Sequence, residues 1–220
     1  MIAPRTCEVC GSLISEKPGK LEFICKKCEL FLPVSPDSDF IFNRFIDNFE
    51  KDDISITKPY ALFTIKDNSD YLKVVHGFKY LGFKRLGKEL SKMLAEKLIQ
   101  ENELDYKAVI PVPIHHARLR ERGFNQSDII ADEISKELKI PKLDAIKRIR
   151  YTTTQTMLSK SERKLNITDS IVPNKKVSGL EGNYLLVDDV LTTGSTINVC
   201  ATVLLDMGAS RVDCAVLAVT

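Results

Sequence analysis

Apolar residues along the chain fall into two rhythms, short unbroken runs and spacings of three and four. The run at residues 60–65 reads as a strand turning at Asp67 and Asn68. Val109, Ile110 and Val112 read as a buried strand that ends in Pro111 and Pro113, which fix the chain as it leaves the sheet. Residues 184–187 are four apolar positions in a row, the mark of a parallel strand covered on both faces. A last apolar strand at 211–220 ends inside the sheet. Between these lie helical spacings. One run starts at Ser69 or Asp70 and continues to Gly82. A longer one, from 83 to about 100, puts Leu86, Leu90, Met93, Leu94 and Leu98 on one face. Asn125 stands as a cap before Ile129, Ile130, Ile134 and Leu138, and another helical pattern carries Ile197, Cys200, Ala201, Leu204 and Leu205. Residues 143–150 alternate and predict an edge strand.

The first quarter of the chain breaks both rhythms. Cys7, Cys10, Cys25 and Cys28 form two C-x-x-C pairs separated by fourteen residues. Two thiolates three positions apart reach one tetrahedral metal from a tight turn, and a second pair closes the site. Gly11 frees the first turn. Four sulfurs leave no open position, so the expected Zn²⁺ is structural; a redox pair or disulfides are the alternatives. Cys200 and Cys214 lie in apolar settings and read as packed small side chains. Pro33, Pro36 and a series of acids then mark a connection. It also holds Phe40, Phe42, Phe45, Ile46 and Phe49, too apolar for a free linker. This predicts a loop and an irregular helix docked on the main domain, its aromatics packing between ribbon and core, with base stacking as the alternative.

Composition narrows the class. Hydrophobic residues make up 44% and charged residues 28%, ordinary for a globular protein. No apolar run nears the ~20 residues that span a bilayer, and the polar, cysteine-bearing start does not read as a signal peptide. A cytoplasmic protein with no membrane insertion is expected. The net charge of +2 gives no global field for nucleic acid. Residues 139–176, however, carry ten Lys and Arg against three acids, a local excess of +7 that suits a phosphate-rich ligand or a nucleic-acid backbone.

The densest chemistry follows the strand at 184–187. Asp188 and Asp189 are adjacent acids; Val190 and Leu191 lead into Thr192, Thr193, Gly194, Ser195 and Thr196, where a helix begins. Open α/β sheets bind ligands at the carboxyl ends of their strands, and a helix N-terminus offers amides and partial positive charge to a phosphate. Gly194 permits close backbone approach, and the four hydroxyls surround it. The carboxylates would repel phosphate, so they suit sugar hydroxyls or Mg²⁺ held through water. A phosphorylated ribose satisfies both halves. A plain turn with Ser195 or Thr196 as helix cap would use only one hydroxyl.

These thirteen residues resemble the phosphoribosyl pyrophosphate (PRPP) signature of type I phosphoribosyltransferases. The resemblance implies an α/β fold, a parallel sheet flanked by helices on both faces. It also implies that Asp188 and Asp189 hold the ribose hydroxyls and that Thr192 to Thr196 wrap the 5-phosphate, with Val190 and Leu191 completing the PRPP-binding stretch.

Two further stretches carry cations. Arg118, Arg120 and Arg122 lie just beyond the second strand, an arrangement suited to bidentate diphosphate binding or to a solvated loop. His115 and His116 lack a metal partner. His76 alone reads as a surface or capping residue. Residues 151–164 are rich in hydroxyls, with Lys160, Arg163 and Lys164 in the second half; such stretches are lids or disordered.

Taken together, the chain resembles the ComF (ComFC, competence-associated) family. The similarity rests on the cysteine ribbon, Phe78-Lys79-Tyr80 with Gly82, Pro111-Val112-Pro113 followed by Arg118 and Arg122-Gly123-Phe124-Asn125-Gln126, and Arg148, Arg150, Thr152, Gln155, Leu158, Arg163 and Asn166. The acidic pair completes it. The expected organisation is a four-cysteine zinc ribbon over 1–33, a connection over 34–58 and a phosphoribosyltransferase-like domain over 59–220. The resemblance implies a PRPP-site protein that helps bring transforming single-stranded DNA into the cytoplasm, with DNA-uptake proteins as partners. Two activities follow. In one, the protein binds a phosphoribosyl group and DNA. In the other, Mg²⁺ with Arg118, Arg122 and Arg163 stabilises pyrophosphate leaving PRPP as an unidentified acceptor attacks.

Overall fold

A computed structural model describes residues 5–14, 19–46, 49, 53–66, 69–80, 84–101, 105–150 and 170–220; the side chains of Arg44, Leu72, His76, Lys79 and Tyr80 are not described. The turn at Asp67 and Asn68 and the 151–164 stretch with Arg163 therefore lie outside the described residues, as does the side chain of His76.

Four strands form one parallel sheet: β1 (Pro59–Thr64), β2 (Tyr106–Pro111), β5 (Asn183–Leu191) and β6 (Arg211–Val219), in the order β1-β6-β5-β2. β6 is buried at every position from Val212 to Val219, which is why it shows no polar alternation. Successive side chains on these strands point to opposite faces and divide the core in two. Leu62, Val109, Leu185, Val187 and Leu217 join the helices α3 (Leu72–Tyr80), α4 (Lys84–Glu101) and α6 (Gln126–Leu138) on one face. Ala61, Ile110, Leu186, Cys214 and Val216 join α2 (Ser38–Ile46) and α7 (Ser195–Asp206) on the other. The predicted stripe on α4 is real: Leu86, Leu90, Leu94 and Leu98 are fully buried, each worth about 1.5–3 kcal/mol, and Met93 packs at its edge. Cys200 and Cys214 are completely buried, as small core side chains.

The ribbon belongs to the first of these two cores. Cys7, Val9, Leu21, Ile24 and Cys28 pack with Phe78 and Leu86. Glu22 pairs with both Arg5 and Arg85, and the Tyr71 hydroxyl donates to the Cys28 carbonyl at 3.0 Å. The second cysteine pair runs directly into a short helix, α1 (Lys26–Leu30).

Three expectations need correction. The aromatics of the connecting segment do not sit between ribbon and core. Phe45 and Ile41 pack on the opposite face, beside Ile197 and Ala201, because the chain at 33–35 pairs with the edge of β1 before α2 begins. Residues 143–150 are not one continuous edge strand: the Leu143 amide donates to the Val109 carbonyl of β2 at 2.9 Å, beside a parallel bridge between Lys142 and Val109, and the chain then leaves the main sheet. Only β3 (Ile146–Arg148) is extended there, and it pairs antiparallel with β4 (Ile171–Pro173) in a separate two-stranded sheet. Finally, β5 does not stop before the acids: it continues through Asp188 and Asp189 to Leu191, still in register with β6 at Val216, Ala218 and Val219. Among the described residues no helix is long and apolar enough to cross a membrane.

Candidate functional site

β2 and β5 are neighbours, yet the helices that follow them leave to opposite faces: Ile130 and Ile134 of α6 pack into one core, Ile197 and Leu204 of α7 into the other. Such a divergence opens a crevice at the carboxyl ends of the two strands. The acidic pair and the hydroxyl-rich loop stand at this point.

The pair is not symmetrical. Asp188 is half-buried, and its Oδ1 accepts both the Ser127 hydroxyl at 2.8 Å and the Asp189 amide at 2.9 Å. Asp189 is buried, at 7% exposure, where the sequence suggests a solvent-facing residue beyond the strand. Strand alternation explains this: as β5 extends to Leu191, consecutive side chains must point opposite ways. Ser127 carries no signal in the sequence. It reaches Asp188 because α6 starts there, fixed by Asn125, whose side chain accepts from the Ser127 amide at 3.3 Å and donates to the Val112 carbonyl at 3.0 Å. The predicted cap at Asn125 is therefore present and also ties α6 to the end of β2.

The loop then turns. Thr192 and Thr193 are exposed; Gly194 is buried with φ +77°, a left-handed conformation that a side chain adopts only at a cost. Gly194 is itself the residue at the start of α7, and no side chain caps that helix. Thr193 Oγ1 and Ser195 Oγ lie 3.1 Å apart in a hydrogen bond with each other. The simpler capping role for Ser195 or Thr196 is not what the geometry has: both are the first residues of the helix rather than its cap.

Arg118 and Arg122 sit half-buried on α5 (His116–Arg122), and Arg120 is exposed. Arg122 donates to Gln126 Oε1 at 3.3 Å, which steadies it over the start of α6. His115 caps α5, its Nδ1 accepting the Ala117 amide at 3.2 Å. Burial pushes the His115 imidazole below its ordinary value, and the neighbouring His116 charge acts the same way. Arg148 on β3 enters the same region. Burial lowers its guanidinium; the Arg118 charge adds to that, and Asp188 opposes it. Arg148 is therefore near enough to feel both Arg118 and Asp188, although they stand far apart along the chain. Arg163 lies outside the described residues.

In the N-terminal ribbon the four cysteines converge, their sulfurs all within 4.8 Å of one another. Cys10 Sγ and Cys25 Sγ are 3.8 Å apart. A tetrahedron with metal–sulfur bonds of about 2.3 Å has edges of about 3.8 Å, so the donor set has the size of a metal site. Gly11, at φ +73°, sends its amide to the Cys7 carbonyl at 2.8 Å and closes the first knuckle; the Cys25 amide points at Cys7 Sγ at 3.3 Å. Hydrogen bonds from the Ser12 side chain and backbone lower the exposed Cys10 thiol to about 6. Burial pushes Cys28 up.

Comparison with known proteins agrees with this geometry. Residues 125–219 match the phosphoribosyl transferase domain family. Competence protein F of Haemophilus influenzae is 40% identical over 110 residues, covering 48% of this chain and 47% of that protein. The chain thus spans about half the length of that relative. DNA utilization protein YhgH of Shigella flexneri is 32% identical over 157 residues, 69% of this chain and 68% of its own. Competence protein ComFC of Bacillus subtilis is 24% identical over 210 residues, 94% of this chain and 74% of its own. With the cysteine cluster, the parallel sheet and the acidic-pair loop in place, the chain belongs to the ComF family and carries a phosphoribosyl transferase domain.

Proposed function

We propose that the crevice beyond β2 and β5 binds the phosphoribosyl group of PRPP. The observation that carries this reading is the sequence of elements at the end of β5. A carboxylate pair at Asp188 and Asp189 is followed by the last two residues of β5, by the turn 192–194 and by a helix that begins without a side-chain cap. Asp188 and Asp189 bind the ribose hydroxyls. The amides and hydroxyls of Thr192, Thr193, Gly194, Ser195 and Thr196 take the 5-phosphate, where the helix dipole favours negative charge. Ser127 sets the direction of Asp188. Arg118 and Arg122 face the diphosphate with Mg²⁺, Arg163 joins them, and Arg148 adds a further cation. Cys7, Cys10, Cys25 and Cys28 hold a structural Zn²⁺, which fits the 3.8 Å sulfur spacing between Cys10 and Cys25.

The relatives named for competence and DNA utilization support a role in the uptake and use of DNA. In that role the protein works in the cytoplasm, with single-stranded DNA and uptake proteins as partners. Titration calorimetry with PRPP and Mg²⁺ tests the site: saturable binding is expected in the wild type and its loss in Asp188→Ala. Equal affinity in both proteins would remove the assignment. The family description as a phosphoribosyl transferase favours a second reading, in which bound PRPP is cleaved. Release of pyrophosphate in the presence of a purine or pyrimidine acceptor would support it, and none with any base would leave binding as the function.

A further inference from the structure

The connecting segment touches the phosphate loop and its helix at three levels. At the loop, a Cβ on Gly194 would fall 2.7 Å from Phe45 Cδ2 and closer still to Cε2, so the ring lies against the glycine backbone. Phe45 is 2% exposed, and Phe49 stacks on it with ring centroids 4.8 Å apart. One turn into α7, Asn198 is 6% exposed, and both ends of its amide go to the segment. Its Oδ1 accepts the Ser55 amide at 2.8 Å, and its Nδ2 donates to the Asp53 carbonyl at 2.6 Å. A turn further, the Ser55 and Thr202 hydroxyls meet at 2.8 Å, and Thr202 donates back to the Asn198 carbonyl at 3.0 Å.

We infer that Phe45 is a positioning residue for the 192–196 loop, and that the connecting segment is a strap whose docking and the occupancy of the loop control one another. The inference rests on the phosphoribosyl reading of that loop and adds its regulation. Phe45 has no polar atom to offer a phosphate. Its effect is to hold Gly194 in the left-handed turn from which α7 starts, a task that no cap performs. A ligand that draws the loop amides inward selects the conformation the ring packs against. Two processes that favour one conformation favour each other, and by linkage the effect is equal in both directions. The strap also leads away from the site. Its first residues pair with the edge strand, the Thr64 amide donating to the Pro33 carbonyl and the Ser35 amide to the Leu62 carbonyl, each at 2.9 Å. The chain between ribbon and loop is therefore anchored at both of its ends.

Hydrogen exchange on the full chain, with and without PRPP and Mg²⁺, tests this directly. The expected result is slower exchange of the amides at 39–46 when PRPP is bound. In parallel, Phe45→Ala should weaken PRPP binding about tenfold, and Phe45→Leu should restore most of the affinity. PRPP binding with unchanged exchange at 39–46, or wild-type affinity in Phe45→Ala, overturns the strap while leaving the site intact. If Phe45→Ala fails to fold, the exchange of the wild type decides. If the wild type binds no PRPP at all, the site reading fails and the strap inference falls with it.

Discussion

Gly194→Ala is the substitution whose cost can be worked most fully from the geometry. Two penalties arise. The residue holds φ +77°, and a side chain in the left-handed region costs about 1–2 kcal/mol. The new Cβ would also overlap the Phe45 ring, which is fully packed, and overpacking of that kind costs about 1–3 kcal/mol. The single variant should therefore lose about 2–5 kcal/mol. Phe45→Ala alone empties a buried ring site and should lose about 3–5 kcal/mol. The two costs should not add. Without the ring nothing opposes the Cβ, so the double variant should be about 1–3 kcal/mol more stable than the two single losses predict. The chain has no Trp, so urea unfolding is best followed by far-ultraviolet circular dichroism on all four proteins. Additivity to within about 0.5 kcal/mol would show that ring and glycine do not share the contact, and would refute the packing argument.

Cys7→Ser should abolish stoichiometric zinc by elemental analysis and loosen the ribbon, because metal binding and folding of so small a unit are one process; unchanged metal content would rule out a shared site. Lys97 donates to three carbonyls, Ser35 at 2.7 Å, Pro36 at 3.0 Å and Ala61 at 3.1 Å, and so pins the start of the strap to α4 and β1. Lys97→Met should cost about 1.5–3 kcal/mol in thermal or denaturant unfolding and speed proteolysis at 33–46; an unaltered cleavage pattern would contradict the pinning. Asp213 is fully buried, accepting the Tyr106 hydroxyl at 2.6 Å and the Lys58 amide at 3.0 Å, with Arg211 Nε 3.4 Å away; burial raises its carboxyl above the ordinary 3.8. Between 3.8 and that raised value the folded state holds more proton than the unfolded one. The stability of the wild type relative to Asp213→Asn should therefore fall as pH rises through this window and level off below it. A difference that grew with pH would reverse the sign and sink the assignment.

The parts of the site that were legible in the sequence are those that chemistry confines to one stretch. The two C-x-x-C pairs must sit close in the chain to make knuckles. The hydroxyl-rich turn lies between one strand and one helix, so Asp188 to Thr196 could be read as a block. Helices announced themselves through spacing, and Leu86 to Leu98 lie on one face because a helix repeats every 3.6 residues. Strand limits were less visible. Nothing local says that β5 continues through two acids; that depends on β6 lying alongside with its backbone groups waiting to be paired.

Residue order and spacing were enough to locate the strands of the main sheet, the longer helices, the metal-sized cysteine cluster and the hydroxyl-rich turn after β5, whereas α1, β4 and the helical form of α5 left no such trace. Four features came only from packing: which of the paired carboxylates is buried, that Ser127 orients Asp188, that Arg148 joins Arg118, and that Phe45 rests on Gly194. Local preferences act within a few residues and leave a periodic trace in the chain. Contacts between residues 61 and about 150 positions apart leave none, because they exist only once the two cores have closed on either face of the sheet.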